Sequence, residues 1–182
     1  MKKAFLLGIV MMSTFALAGC DMVEGLLKGG EDILNEKKDY KYDDFAVLIA
    51  DKNFTWSYRI CTAAIEYNGE KSSVEYTYNS DDQAWHYTDN DKDKTAKLDL
   101  VSFVKSCKAN ATVLGKSVDS VYKFSASKSG YLVTANYKNS EFQVDGEYNY
   151  SADGLVTSEN EKQTNLQTVE AITRKVTYSY FE

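Results

Sequence analysis

A single histidine, His86, bounds the side-chain chemistry open to this 182-residue chain. One imidazole excludes zinc sites built on two histidines and excludes a Cys-His-His peptidase arrangement. A Cys-His-Arg set could be assembled from His86, Cys107 and Arg174, but Cys107 falls in a helical pattern and Cys61 is its better partner. In "DNDKDKTAKLDL" the residues Asp89, Asp91 and Asp93 occupy positions 1, 3 and 5 of a calcium loop. Lys94 then stands where the sharp turn needs glycine, and Leu100 where the bidentate glutamate belongs. The stretch reads as an acidic, solvated loop, with Asp93 or Thr95 capping a following helix. Gly-x-Ser-x-Gly, P-loop and dinucleotide signatures are all missing from the sequence. These residues predict no catalytic set, no metal and no cofactor.

The richest remaining feature is tyrosine. All 14 lie beyond residue 39, and the chain has no proline. Tyrosine pairs a large apolar ring with a polar tip, which suits half-buried sheet positions and binding surfaces. Tyr122, Tyr131, Tyr137, Tyr148 and Tyr150 form the candidate ligand face. They are either core beneath helices or the lining of an incompletely covered face that takes an apolar ligand. Basic residues form no patch, which argues against a nucleic-acid partner.

The elements that would position these residues follow from pattern. Tyr42, Phe45, Leu48 and Ile49 have helical spacing, with Asp43 or Asp44 as N-cap, although "FAVLI" also suits a buried strand. Asn68-Gly69 between alternating runs is a strong hairpin signal. It pairs Glu66 with Lys71, Ala63 with Val74 and Cys61 with Tyr76. "AWHYT" returns as a strand with Trp85 and Tyr87 on one face. Leu98, Val101, Val104 and either Cys107 or Lys108 predict a helix over 95–108. A turn at Lys128-Ser129 pairs Ala126 with Tyr131, Phe124 with Val133 and Tyr122 with Ala135. A second turn at Asn139-Ser140 pairs Tyr137 with Phe142, Ala135 with Val144 and Tyr131 with Tyr148. Residues 141–151 read as one long strand with Gly146 at a bend or bulge. "LVTSENEK" alternates weakly, and "ITRKVTYSYF" closes with Ile172, Val176, Tyr178 and Tyr180 aligned. The fold class expected is α+β: a curved antiparallel sheet, a half-barrel-like meander of about seven or eight strands, with one or two helices on its apolar face.

The N-terminus supplies an address. Lys2 and Lys3 precede an apolar run over 4–18, which falls short of the roughly 20 residues that span a bilayer as a helix. Such a charged start, short apolar core and small-residue exit make a secretory signal peptide. Leu17-Ala18-Gly19-Cys20 resembles the lipobox of bacterial lipoproteins. That resemblance implies cleavage before Cys20, a diacylglycerol thioether on its sulfur and an acylated new terminus. Two or more acyl chains hold a membrane stably where one does so marginally. Asp21 resembles an inner-membrane retention signal of enteric-type lipoproteins. Residues 1–19 are thus the leader, 20–41 a polar tether and 42–182 a single globular domain. The leader removes two of the 21 basic residues and none of the 27 acidic ones, leaving a decidedly acidic chain. With Cys20 assigned to lipid, Cys61 and Cys107 remain as a pair in an oxidising compartment. Their bridge would close a loop of about 47 residues, worth on the order of 4 kcal/mol. Two free, buried thiols are the alternative.

Together these features imply a lipid-anchored, non-enzymatic binding module of the bacterial cell envelope, with the membrane and an unidentified protein or apolar ligand as partners. By architecture alone, a lipid-anchored curved sheet with covering helices looks like the lipoprotein-carrier half-barrels. An envelope-enzyme inhibitor or assembly factor acting through a tyrosine-rich surface is the other class.

Overall fold

The structure, a computed structural model, describes residues 37–113 and 121–182. Cys20, the leader and most of the tether lie outside the described residues. In chain order the elements are β1 (Lys38–Tyr40), α1 (Tyr42–Ala50), β2 (Ile60–Tyr67), β3 (Glu70–Asn79), β4 (Ala84–Asp89), β5 (Lys92–Ala96), α2 (Leu100–Val113), β6 (Tyr122–Ser127), β7 (Gly130–Lys138), β8 (Phe142–Ser151), β9 (Val156–Asn165) and β10 (Ala171–Phe181). The strands form one open, curved antiparallel sheet in the order β1-β6-β7-β8-β9-β10-β2-β3-β4-β5. The α+β class with two helices therefore holds, but the sheet has ten strands rather than seven or eight. The two extra strands are edges without apolar alternation. β1 lies in what reads as the tether, and β5, "KDKTA", straddles what reads as the end of the acidic loop and the first residues of the helix.

Turn chemistry explains the hairpins. Asn68 (φ 50°) and Gly69 (φ 88°) both take positive φ, the requirement of a two-residue type I′ turn. The register is the expected one, with Ala63 opposite Val74 and Cys61 opposite Tyr76. Asn90 (φ 51°) and Asp91 (φ 60°) do the same, so the acidic loop is in fact the β4–β5 hairpin. Its carboxylates serve neighbours: Asp89 pairs with Lys94, and Asp93 with His86. The helix expected over 95–108 begins at Leu100 instead. Lys92–Ala96 pairs with β4, Leu98 is buried from an extended segment, and the Asp99 carboxylate accepts the Ser102 N–H at 2.8 Å as the true N-cap.

The β6–β7 register also matches, with Phe124 opposite Val133. β7–β8 is offset by two residues: Ala135 faces Gly146 and Tyr131 faces Tyr150. The cause is a wider loop, in which the Asn139 side-chain oxygen accepts the N–H groups of Glu141 and Phe142 at 2.8 and 2.7 Å. A shift of two preserves every inward position. Gly146 is regular strand, and the irregularity falls at Asn149/Tyr150 against β9. The Tyr148 ring lies over Gly146, 3.0 Å from where a Cβ would stand.

Both helices pack on the inner face of the sheet. Phe45 of α1 stacks on Phe124 with ring centroids 4.9 Å apart, and Phe103 of α2 meets Tyr148 at 4.8 Å. α1 carries Asp43 and Asp44 in its first turn, and its cap is Lys41, without a side-chain hydrogen bond. Two connections cross the same end of the sheet. Residues 51–59 lead from α1 to β2 past the β8–β9 turn, where Phe54 touches Gly154. Residues 97–99 lead from β5 to α2, bonding Val156 N–H to the Leu98 carbonyl and Leu100 N–H to the Gly154 carbonyl. The edge strands β1 and β5 present Lys38, Asp39, Lys92, Asp93 and Lys94, charges of the kind that deter edge-to-edge pairing.

Candidate functional site: a charged cluster beside the sealed tyrosines

The sheet pleat puts Tyr131, Val133, Ala135, Tyr148 and Tyr150 on the inner face of β7 and β8, and Tyr122 and Phe124 on that of β6. Four of the five tyrosines of the candidate ligand face are core: Tyr122, Tyr131, Tyr148 and Tyr150 are all buried, Tyr122 at 2 % exposure. Tyr137 lies half-buried nearer the loop end, where its hydroxyl accepts the Asn139 amide at 3.1 Å. Burial pushes the phenols of Tyr148 and Tyr150 well up, with the Glu161 and Glu159 carboxylates adding to this respectively. The Tyr122 hydroxyl stands beside the Cys107 thiol and the Asn110 side chain but reaches hydrogen-bond geometry with neither.

The same pleat sends charge inward on the next two strands. Glu159 and Glu161 of β9 and Arg174 of β10 occupy inward positions, Arg174 directly opposite Glu161. The Arg174 guanidinium nitrogen donates to Glu159 at 2.5 Å and to Glu161 at 3.3 Å. The Tyr178 hydroxyl donates to the second Glu159 oxygen at 2.8 Å, and the Tyr148 hydroxyl to Glu161 at 2.6 Å. Arg174 is 24 % exposed and each glutamate 17 %, so the group is partly open. Burial alone would lower the Arg174 pKa, but the two carboxylates outweigh it and hold the guanidinium charged. Desolvation comes first in raising Tyr178, followed by Glu159. Tyr76, one strand beyond β2, is pushed up to about 12 by burial and then by Glu159. Each carboxylate is engaged by a phenol and by the guanidinium, so neither stands as a free acid or base. Half-buried Ile65, Tyr67, Val74, Tyr87 and Ile172 occupy the inner face around it.

Sequence reading passed over this cluster. The signal was present: on β10 Arg174 has the same parity as Ile172, Val176 and Tyr178, and the weak alternation of β9 is Glu159 and Glu161 at inward positions.

The other candidates are kept apart. His86 is on the outer face of β4, its Nε2 2.7 Å from Asp82 and its Nδ1 2.8 Å from Asp93, while Cys107 and Arg174 belong to the inner face. The three residues of the Cys-His-Arg set do not meet. The expected Cys61–Cys107 bridge is not formed either, and both are buried free thiols. Cys107 sits at Tyr122 on β6, whereas Cys61 is opposite Tyr180 and Tyr76 on β10 and β3. β6 and β2 are five strands apart in the sheet order, on the order of 20 Å at the usual strand spacing. A disulfide needs its Cα atoms within about 7 Å. Desolvation raises both thiols, Cys61 to about 11, which makes neither a nucleophile.

Among the described residues no group of His, Cys, Asp and Glu could hold a metal ion, and no helix is long and apolar enough to cross a membrane. No family model, curated protein or solved structure matches the chain.

Proposed function

We propose that this chain is a lipid-anchored, non-enzymatic binding module of the bacterial cell envelope, held through Cys20, whose partner is a protein. The observation that supports this reading is the change in character across the inner face. Four of the five tyrosines a carrier would offer to an apolar ligand are buried beneath α1 and α2, Tyr137 alone staying half-buried. Beside them Arg174, Glu159 and Glu161 stay partly open among half-buried Ile65, Val74, Tyr67 and Tyr87. Arginine and tyrosine ringed by apolar contacts are the residue types that dominate protein interfaces. An inhibitor or assembly factor would use the same face. The anchor places the domain outside the cytoplasm, and Asp21 favours the periplasmic face of the inner membrane in a host with two membranes.

A photo-crosslinking residue in place of Ile65 or Tyr87, in the full chain in cells, is expected to yield a discrete protein adduct. Equal yield from outer-face Thr134 or Thr177, or an adduct with lipid instead, would overturn the assignment of face and partner. Metabolic labelling with an alkyne fatty acid checks the anchor: the label should be present in the native chain and absent from Cys20→Ser.

A further inference from the structure

We infer that a hollow at the strapped end of the sheet, separate from the inner-face cluster, binds a phosphate group. It encloses about 300 Å³ between the segment after α1, the β6–β7 turn and the β8–β9 turn. Its shape is fixed by two glycines. Gly154 (φ +78°) lets the Phe54 ring lie against the β8–β9 turn, since a Cβ there would fall 2.9 Å from the ring. Gly130 (φ +140°) brings the β6–β7 turn so close that a Cβ would stand 2.0 Å from the Tyr150 carbonyl oxygen. Phe54 meets Tyr131 edge-on, centroids 5.9 Å apart at 88°, and gives the hollow an aromatic wall.

The polar groups around this wall are mostly donors. Lys52 and Lys128 come from opposite sides, and neither has an ion-pair partner among the described residues. Asp153 is the one acid in the lining, and its carboxylate already takes the Ser151 hydroxyl. Tyr131 lines the hollow, and its hydroxyl, which still reaches solvent, has no hydrogen-bond partner among the described residues. A hydroxyl held at the wall of a hollow with no protein partner is free to donate to an acceptor on an incoming ligand. Two ammonium groups, a phenol and the Asn53 amide suit a ligand with several charged oxygens, and lysine binds phosphate as a point charge. The volume exceeds that of bare phosphate, leaving room for a small polyol ester against Phe54.

The test uses the lipidated full-length mature chain, 15N-labelled in neutral detergent. It is titrated with inorganic phosphate and with glycerol phosphate, and with chloride at matched ionic strength. Saturable shifts are expected at residues 52–55, 127–131 and 152–154. Lys52→Gln and Lys128→Gln should each weaken binding roughly ten-fold, and Tyr131→Phe roughly three-fold. Lys138→Gln should leave it unchanged. Phosphatidylglycerol vesicles, with phosphatidylcholine vesicles as control, separate the two sources of phosphate. Lysine-dependent shifts with soluble esters mean a free ligand, and the same shifts with anionic vesicles alone mean a lipid headgroup. Shifts that fail to saturate, that chloride reproduces, or that survive both lysine substitutions overturn the proposal.

Discussion

The inner face of β6–β8 and the inner face of β9–β10 obey the same pleat yet solve different problems. Under the helices, Tyr122, Phe124, Val133 and Tyr150 are sealed against Phe45 and Phe103, and the polar tip of Tyr122 finds no partner. At the border of the two regions Tyr148 of β8 turns its hydroxyl onto Glu161, and on β10 Tyr178 does the same to Glu159, while Arg174 ties those carboxylates together. The first region gains from apolar area and carries an orphaned hydroxyl, while the second satisfies its polar groups and keeps some exposure. A tyrosine in a sheet core is therefore not one kind of residue. Its contribution depends on whether a neighbouring strand supplies an acceptor.

Substitutions can break or sharpen this contrast. Phe45→Ala removes the ring stacked on Phe124 at 0 % exposure and is expected to cost about 4 kcal/mol in urea unfolding. Arg174→Met leaves Glu159 and Glu161 together and half-buried, with an expected cost of about 2 kcal/mol at neutral pH, below the fully buried case. That loss should largely vanish in the triple variant with Glu159→Leu and Glu161→Leu. The same Tyr→Phe change should then have opposite signs in the two regions. Tyr178→Phe strips a donor from Glu159 and should destabilise by about 1 kcal/mol, whereas Tyr122→Phe removes an unsatisfied hydroxyl and should stabilise by a similar amount. Equal effects at both positions would dissolve the distinction.

The smallest effect belongs to His86, which repeats the ion–carboxylate motif in water and so isolates what burial adds. Hydrogen bonds to Asp93 first and Asp82 second raise its pKa above the ordinary 6.5. The grouping therefore contributes fully below the unfolded-state pKa, and its contribution fades as pH rises through the folded value. An NMR titration of the imidazole should show the raised pKa, with Asp93→Asn lowering it further than Asp82→Asn.

Legibility in the sequence followed the physics of each element. Asn68-Gly69 and Lys128-Ser129 fixed their registers because a short turn leaves little freedom and apolar pairs had to match. At Asn139 the pattern tolerated two registers differing by two residues, and a side-chain hydrogen bond in the loop chose between them. β5 stayed hidden because "KDKTA" is an edge strand with little inward burden: its first residues read as part of the acidic loop, and the spacing of Leu98, Val101 and Val104 drew Thr95 and Ala96 into the helix. The inner-face cluster was hidden for a different reason. By hydrophobic alternation alone, Arg174 between Ile172 and Val176 reads as an interruption unless the adjacent strand is known to bring Glu161 opposite.

The order of strands carries a consequence in time. β10, the last strand, lies between β9 and β2, so it joins the five strands β1-β6-β7-β8-β9 to the four strands β2-β3-β4-β5. A chain delivered from its N-terminus can form the β2–β3 and β6–β7 hairpins early, because those pairings are local. It cannot unite the two halves until residues 171–181 arrive, and the closing β2–β10 contact spans more than a hundred residues of sequence. Such long-range closure is slow. The polypeptide thus stays threadable until β10 emerges, and the arrival of that strand decides when the domain becomes one body.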